Sequence, residues 1–237
     1  MNGYDIFKIL LVSILLSCNK EQVKKVDLEM EKIEIPISRR TIVIGSSIAA
    51  GVGATPGGGW VNLLQNEFST DKFTNFGVPG STTHHFLPTV FYTSNLANRF
   101  PLPDTLKNVD AVVKMNPQIV IVSITSNDVA LPLPLDIYMN NIKCITDTLE
   151  KNNIRFLVTS TILRDDFSLD RKKKLLVLYK RLQELYNDKF VDIFTPNGDT
   201  STLQINPVYY SSDKIHPNNE GHRNIYLNIR TLYEKIR

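Results

Sequence analysis

A nearly continuous run of isoleucine and valine at residues 118–125 is the feature that most constrains this chain. An alternating pattern marks a strand with one wet face, whereas an unbroken apolar run marks a strand buried on both faces. Shorter β-branched runs occur at residues 41–44, 72–76, 155–159 and 190–194. Helical patterns separate these runs, which predicts βαβ units and a parallel sheet.

The stretches between the runs carry apolar residues at helical spacing. They are predicted as helices at residues 60–68, 104–115, 136–151, 169–186 and 218–236. Crossovers between parallel strands should be right-handed. We therefore expect a three-layer α/β/α domain over residues 40–237, with a central, mostly parallel five-stranded sheet.

Composition excludes several classes of protein. With 42% hydrophobic and 22% charged residues over 237 positions, the chain fits one globular domain. A net charge of +3 without a clustered basic face gives no indication of a nucleic-acid partner. No apolar run reaches the roughly 20 residues that a spanning helix needs, so a multi-span membrane protein is excluded. The only cysteines, Cys18 and Cys144, cannot form a disulfide framework or a cysteine zinc site.

The first residues have the features of a secretory signal. Lys8 precedes a short apolar stretch at residues 9–16. The sequence Leu15-Leu16-Ser17-Cys18 resembles the bacterial lipobox, which implies that residues 1–17 are removed and that Cys18 carries diacylglycerol. An ordinary signal peptide and a buried N-terminal helix with a chance cysteine are the alternatives.

Residues 18–39 would then form the lipidated cysteine and a tether. Residues 20–34 are rich in lysine and glutamate and have few large apolar residues, which predicts a flexible tether. A solvated amphipathic helix is the alternative. We expect a protein held at the bacterial cell envelope, in contact with the membrane through its lipid only. The membrane, the leaflet and the oligomeric state stay open.

Four polar clusters follow predicted strands. They are Gly45-Ser46-Ser47, the segment from Asn75 to Ser81, the segment from Thr125 to Asp128, and, after a long loop, Asp213 to Pro217. In parallel α/β sheets, ligands bind outside the carboxyl ends of the strands. We therefore expect these clusters to meet at one edge of the sheet.

The four clusters resemble the SGNH, or GDSL, hydrolase family in their order and spacing. The resemblance implies that Ser47 is the nucleophile and that Asp213 and His216 complete a catalytic triad. It also implies an oxyanion hole made by the backbone N–H groups of Ser47 and Gly80 and by the Asn127 side chain. The implied fold has a flavodoxin-like strand order, and the implied reaction needs no metal or organic cofactor.

Two residues depart from the pattern of that family. Ser46 stands where aspartate usually precedes the serine, and Ser126 stands where glycine usually lies two residues before Asp128. Neither is a triad residue. The expected effect is on the rigidity of the serine loop and on the approach of substrate beside Asn127.

The residue types suit acyl transfer on chemical grounds. A serine hydroxyl is a weak nucleophile until a base removes its proton. Histidine is such a base, and an acceptor on its other ring nitrogen fixes its tautomer. The tetrahedral oxyanion needs fixed hydrogen-bond donors.

Other polar or glycine-rich features lack a complete motif. The glycines within residues 51–59 match neither nucleotide-binding fingerprint and are predicted to form a flap beside Ser47. Adjacent His84 and His85 cannot both face one metal from a regular element, so they are predicted to lie at a substrate rim. His222 is predicted to be structural.

The pair Asp165 and Asp166 follows the fourth predicted strand at the same edge. We expect these aspartates to cap the next helix rather than to form a carboxylate pair.

The sequence thus predicts a serine esterase that acts through an acyl-Ser47 intermediate. Small polar residues beside the clusters favour short acyl groups, acetyl above all, carried by a carbohydrate or another small molecule. A non-catalytic glycan-binding lipoprotein of the same fold is one alternative. An acyltransferase, thioesterase or lipase with the same triad is another, since the apolar segment at residues 86–92 could line an acyl groove.

Overall fold

Five β-branched segments form the strands of the central sheet, as the sequence predicts. The computed structural model describes residues 38–93, 101–124, 126–131 and 133–237. The predicted signal sequence, Cys18 and the tether up to residue 37 lie outside the described residues. The strands are β1 (Arg40–Gly45), β2 (Lys72–Gly77), β3 (Ile119–Ser123), β4 (Arg155–Thr159) and β5 (Phe190–Val191).

The strands lie in the order β2-β1-β3-β4-β5, and these four pairings are parallel. This is the flavodoxin-like order that the family resemblance implies. All five residues of central β3 are buried, which confirms the interpretation of the isoleucine and valine run. The chain order changes direction between β1 and β3, so the carboxyl ends of these strands form the switch point where such sheets bind ligands.

Six helices in the described residues complete the layers. They are α1 (Trp60–Glu67), α2 (Val109–Lys114), α3 (Asn127–Ala130), α4 (Leu135–Lys151), α5 (Leu169–Tyr186) and α6 (Asn219–Ile236). Helix α1 packs against α6, whereas α2 and α5 pack against α4. None of the helices in this part of the chain has the length and hydropathy needed to cross a bilayer.

Two elements are shorter than the sequence predicts. Helix α2 begins at Val109 instead of residue 104, because the Asn108 side chain caps it by accepting a hydrogen bond from the Ala111 N–H at 3.0 Å. Strand β5 ends at Val191, because the side chain of Asp192 accepts hydrogen bonds from the backbone N–H groups of Phe194 and Thr195. Local side-chain bonds to the backbone thus set both boundaries.

A buried carboxylate joins the segment after β2 to the helix after β3. The Thr83 hydroxyl donates to Asp128 Oδ1 at 2.5 Å, and the Thr83 N–H lies 3.0 Å from Oδ2. The Asn141 side chain of α4 donates to the Thr83 hydroxyl at 2.8 Å. Burial raises the pKa of Asp128 to about 6, although the hydrogen bonds from Thr83 act in the opposite direction. Ionisation of this carboxyl therefore opposes folding.

We expect the stability of the protein to decrease as Asp128 ionises. The pKa of Asp128 rises from 3.8 to about 6 on folding, so the stabilising contribution is complete below the lower value and is lost as the pH reaches the higher one. A shift of this size corresponds to roughly 3 kcal/mol. Asp128→Asn cannot ionise, so the difference in free energy of unfolding between wild type and variant should change with pH by about that amount. Urea unfolding across this pH range measures it.

The exposed Asp188 supplies the matched control. Asp188→Asn should follow the wild-type pH dependence, because its carboxylate stays in water in both states. Parallel pH profiles for wild type and Asp128→Asn would contradict the prediction.

Candidate active site

The loops that follow β1 and β5 bring together three side chains that are distant in sequence. Ser47 Oγ lies 3.0 Å from His216 Nε2, and His216 Nδ1 lies 2.7 Å from Asp213 Oδ2. Because Asp213 accepts the Nδ1–H, Nε2 of a neutral His216 is the acceptor for the Ser47 proton. This geometry can convert the serine hydroxyl into a nucleophile.

Ser47 stands in a turn that packs directly on the ends of two strands. A side chain at Gly45, the last residue of β1, would meet the carbonyl oxygen of Ser123. A side chain at Gly77, the last residue of β2, would come within 2.5 Å of the Ala50 backbone nitrogen. Only glycine leaves room for the turn at these positions.

Asn75 of β2 holds the same turn through its side chain. Its Nδ2 donates to the carbonyl of Ala49 at 2.7 Å, and its Oδ1 accepts from the Gly77 N–H at 2.8 Å. Ser46, which replaces the usual aspartate, is buried, and its N–H donates to the Ser123 carbonyl at 3.3 Å. Backbone and amide contacts thus fix the serine loop without a carboxylate at position 46.

The loop that carries His216 is organised around Asp213. Asp213 Oδ1 accepts hydrogen bonds from the backbone N–H groups of Ile215 and His216 at 2.8 and 3.0 Å. The Ser211 hydroxyl donates to the same oxygen at 2.7 Å. Burial alone would raise the pKa of Asp213, but the hydrogen bonds from His216, Ile215 and Ser211 outweigh it and hold the pKa well below its ordinary value. The carboxylate is therefore ionised and can orient the imidazole.

The sequence reasoning did not single out Ser211. Its spacing, two residues before an aspartate in a loop, is the signal that could have identified it. The side chains of Asp213 and His216 are 44% and 19% exposed, so the acid is exposed and the base is half-buried.

The two predicted oxyanion donors beyond Ser47 lie on neighbouring segments. Gly80 has a φ of 82°, a left-handed conformation that favours glycine, with open space where a side chain would be. Asn127 Nδ2 donates to the Ser81 carbonyl at 2.9 Å, so its amide lies beside the segment that contains Gly80. One hydrogen on Asn127 Nδ2 stays outside this bond and can donate to a substrate oxygen.

Ser126, the second departure from the family pattern, is buried and precedes α3.

Arg164 is a residue near this amide that the sequence reasoning missed. It follows β4, and its Nη1 lies 3.3 Å from Asn127 Oδ1. Its Nε and Nη2 bind the two carboxylate oxygens of Asp166 at 2.8 and 2.7 Å. The signal that could have identified it is its position in the loop after β4, at the edge of the sheet where the other clusters lie.

The prediction that Asp165 and Asp166 cap the next helix was wrong. Ser168 caps α5, with its side chain accepting from a backbone N–H. Asp165 pairs instead with Lys172 at 2.9 Å, and Asp166 pairs with Arg164. Basic side chains close in space outcompete the helix terminus for both carboxylates.

The segment predicted as a flap at residues 51–59 is held against the His216 loop. A side chain at Gly53 would come within 2.8 Å of His216 Cβ and would meet the Pro217 carbonyl oxygen. The Thr55 N–H donates to Asn219 Oδ1 at 2.8 Å. The segment therefore supports the histidine from behind instead of standing free beside Ser47.

His222 is structural, as predicted. It is completely buried in α6, where its Nδ1 accepts from the Trp60 N–H at 3.4 Å. Its Nε2 lies 3.0 Å from the Val52 carbonyl, to which it donates. Burial lowers the pKa of His222, so a neutral imidazole links the segment 51–59 to the closing helix.

The sequence predicts His84 and His85 at a substrate rim, but the structure places neither imidazole in an exposed position. His84 is only 5% exposed, so it does not fit a place at a solvent-facing rim. His85 is half-buried, and its Nδ1 accepts from the Thr82 N–H at 3.0 Å. In the described part of the chain, no three histidine, cysteine, aspartate or glutamate side chains form a group that could hold a metal ion.

Comparisons with known proteins identify the family. The model of the GDSL-like lipase/acylhydrolase family matches residues 43–223, which is more than half of the chain. That range contains all four clusters of the site. A search of curated proteins finds no match.

Several solved structures share the fold at low sequence identity. A GDSL-like lipase from Bacteroides thetaiotaomicron is 20% identical, with 84% of this chain and 89% of that one covered and a TM-score of 0.64. The psychrotrophic esterase EstA from a Pseudoalteromonas species is 16% identical, with 84% and 98% covered and a TM-score of 0.57. A two-domain esterase active on acetylated mannans is 16% identical, with 84% and 49% covered and a TM-score of 0.54. The chain thus belongs to the GDSL-like lipase/acylhydrolase family and is a serine ester hydrolase.

Proposed function

We propose that this enzyme removes short acyl groups, acetyl above all, from carbohydrate esters through an acyl-Ser47 intermediate. The observation that carries the proposal is the continuous path of hydrogen bonds from Asp213 through His216 to Ser47. A protein that only binds glycans would not need hydrogen bonds that join a carboxylate, an imidazole and a serine hydroxyl in this order. Ester hydrolysis therefore accounts for the geometry better than a non-catalytic role.

The first half of the reaction forms the acyl-enzyme. Ser47 Oγ attacks the acyl carbon while its proton moves to His216 Nε2. The carbonyl oxygen becomes an oxyanion, for which the N–H groups of Ser47 and Gly80 and the Asn127 amide are the proposed donors. As the tetrahedral species collapses, His216 gives its proton to the departing alcohol oxygen. Asp213 stays ionised and stabilises the imidazolium between the two steps.

The second half releases the acid. A water molecule gives a proton to His216 Nε2 and attacks the acyl carbon of the ester on Ser47. A second oxyanion forms on the same donors. Its collapse breaks the bond to Ser47 Oγ, which takes back the proton from His216, and the free carboxylic acid leaves.

The surroundings of Ser47 support a short acyl group. Two apolar residues that could have lined a long groove, Phe86 and Leu87, are buried in the hydrophobic core. Each buried CH₂ of a longer chain would contribute only about 0.8 kcal/mol, and only where an apolar wall receives it. The neighbouring clusters contribute the small, buried residues Ser46, Ser81 and Ser126, which add no apolar wall.

The exposure of the site supports a carbohydrate as the alcohol. The exposed side chain of Asp213 and the half-buried side chain of His216 place the triad near the surface, where a substrate larger than the acyl group can reach it. The similar two-domain esterase is active on acetylated mannans, a polymer of this kind. We also propose that lipid on Cys18 holds the enzyme at the bacterial cell envelope, where such glycans are met.

Replacing Ser47 with alanine should lower kcat/KM for ester hydrolysis by about 10³- to 10⁶-fold, because the hydroxyl that His216 activates is removed. His216→Ala should cause a loss of similar size. The double variant should be little worse than either single one, since the two groups act as a unit. Steady-state hydrolysis of p-nitrophenyl acetate measures all three.

Labelling gives a second readout for the same variants. A fluorophosphonate should modify the peptide that contains Ser47 in wild type and leave Ser47→Ala unlabelled. Ser212→Ala, at an exposed serine beside Asp213, serves as the control and should keep both activity and labelling. Normal turnover in Ser47→Ala would disprove the assignment.

Selectivity among p-nitrophenyl esters should favour acetate and butyrate over longer chains. The physical reason is that Phe86 and Leu87 are buried in the core, which leaves fewer apolar side chains to receive the methylene groups of a longer chain. Release of acetate from an acetylated mannan or xylan should accompany this preference. A kcat/KM that increases steadily beyond about C8 would instead indicate a lipase.

Cys18→Ser should move the protein from the membrane fraction to the soluble fraction, because the variant has no thiol to which diacylglycerol can be attached. Metabolic labelling with an alkyne fatty acid should be lost in parallel. Cys144→Ser is the matched control, since Cys144 packs against the core on α4 and should not affect fractionation. Unchanged fractionation of Cys18→Ser would contradict the anchor.

A further inference from the structure

We infer that Arg164 is a positioning residue for the oxyanion hole and that it acts through the Asn127 amide. The inference rests on the proposed role of Asn127 as an oxyanion donor. Arg164 lies in the loop after β4, which contributes no residue to the triad or to the proposed oxyanion hole.

The two ends of the Asn127 amide have partners of opposite kind. The Ser81 carbonyl can only accept, so the atom 2.9 Å from it is Nδ2. A guanidinium can only donate, so the atom 3.3 Å from Arg164 Nη1 is Oδ1. Each contact alone would allow the amide some rotation. Together they determine which end of Asn127 can present an N–H to the substrate.

The guanidinium also affects the strength of the donor. A cation that donates to an amide oxygen draws electron density towards that oxygen and makes the amide N–H groups better donors. The Asn127 N–H outside the Ser81 bond would therefore bind a developing negative charge more strongly than an isolated side-chain amide. This effect is largest in the transition state, where the charge is largest.

Arg164 is itself held firmly enough to position the Asn127 amide. Asp166 binds its Nε and Nη2 in a bidentate pair, and the guanidinium lies 4.4 Å from the centre of the Phe167 ring. The neighbouring Asp165 is bound to Lys172, and its N–H donates to the Lys214 carbonyl in the loop of the triad. The side chain of Arg164 is 14% exposed. These contacts use three of the five N–H donors of the guanidinium, at Nε, Nη1 and Nη2, which favours positioning over direct binding of substrate.

The test is a mutant cycle between the two residues. Asn127→Ala should lower kcat by about 10²- to 10³-fold, the usual loss for one oxyanion donor. Arg164→Met, which keeps an apolar stem over Phe167, should lower kcat by roughly 10- to 50-fold with KM within about threefold of wild type. In the Asn127→Ala background, Arg164→Met should change kcat by less than about threefold, because the amide through which it acts is gone.

Arg171 offers a matched control. Its guanidinium lies 5.4 Å from the same Phe167 ring, and it donates to the Ala130 carbonyl, but no contact joins it to Asn127. Arg171→Met should therefore keep kcat within about twofold of wild type. Arg164→Lys should recover part of the loss, because its ammonium group can still donate to Oδ1.

Binding of a transition-state analogue separates positioning from a merely structural effect. A trifluoromethyl ketone forms a hemiketal with Ser47, and its oxyanion occupies the hole. Its inhibition constant should rise in Arg164→Met by the same factor by which kcat/KM falls, and it should not rise in Arg171→Met. If Arg164→Met does not fold, Arg164→Lys and Asp166→Asn replace it in the cycle.

Two results would overturn the inference. One is a kcat of Arg164→Met within twofold of wild type, and the other is an equal loss with and without the Asn127 side chain. Ser47→Ala is measured alongside these variants. Failure of the proposed function would appear as turnover that does not depend on Ser47. Failure of this inference would appear as Ser47-dependent turnover that Arg164→Met leaves unchanged, or lowers equally with and without the Asn127 side chain.

Discussion

The site depends on how closely the chain after β1 can approach the ends of its neighbouring strands. Gly45 faces the carbonyl of Ser123, and Gly77 faces the backbone of the turn that contains Ser47. A single methyl group at either position would push the turn outwards. Since Ser47 must stay within hydrogen-bond distance of His216, the absence of two side chains is what allows the sheet edge to become a catalytic site.

The histidine side of the site is built by contacts from both ends of the domain. The segment 51–59 packs behind His216, while His222 and Asn219 of α6 hold that segment by hydrogen bonds. The acid and the base are close in sequence, so Asp213 organises its own loop through local N–H groups. The arrangement of Asp213 and His216 therefore depends on local contacts. The support of His216 by the segment 51–59 requires the packing of α6 against the first third of the domain.

Much of this could be predicted from the sequence, and the failures have physical causes. Buried parallel strands produce apolar runs that can be recognised directly, and the serine, aspartate and histidine occur in motifs with fixed spacing. The end of β5 and the start of α2 depend on hydrogen bonds that the side chains of Asp192 and Asn108 accept. The spacing of apolar residues, on which the predictions rest, carries no information about these bonds. Arg164 was missed because its role arises only from its proximity in space to Asn127. An aspartate pair was predicted to cap a helix, although basic side chains two and seven residues away, Arg164 and Lys172, bind these carboxylates instead.

The long separation of the nucleophile and the base has a consequence for the timing of biosynthesis. Ser47 and His216 are 169 residues apart in the chain. At the usual rate of translation, the ribosome needs roughly 10–30 s to travel from one to the other. During that interval the serine has no base and the nascent chain can attack no ester. A hydrolase assembled in this way stays inert throughout synthesis and acquires its reactivity only after the last strand and the loop behind it have been made.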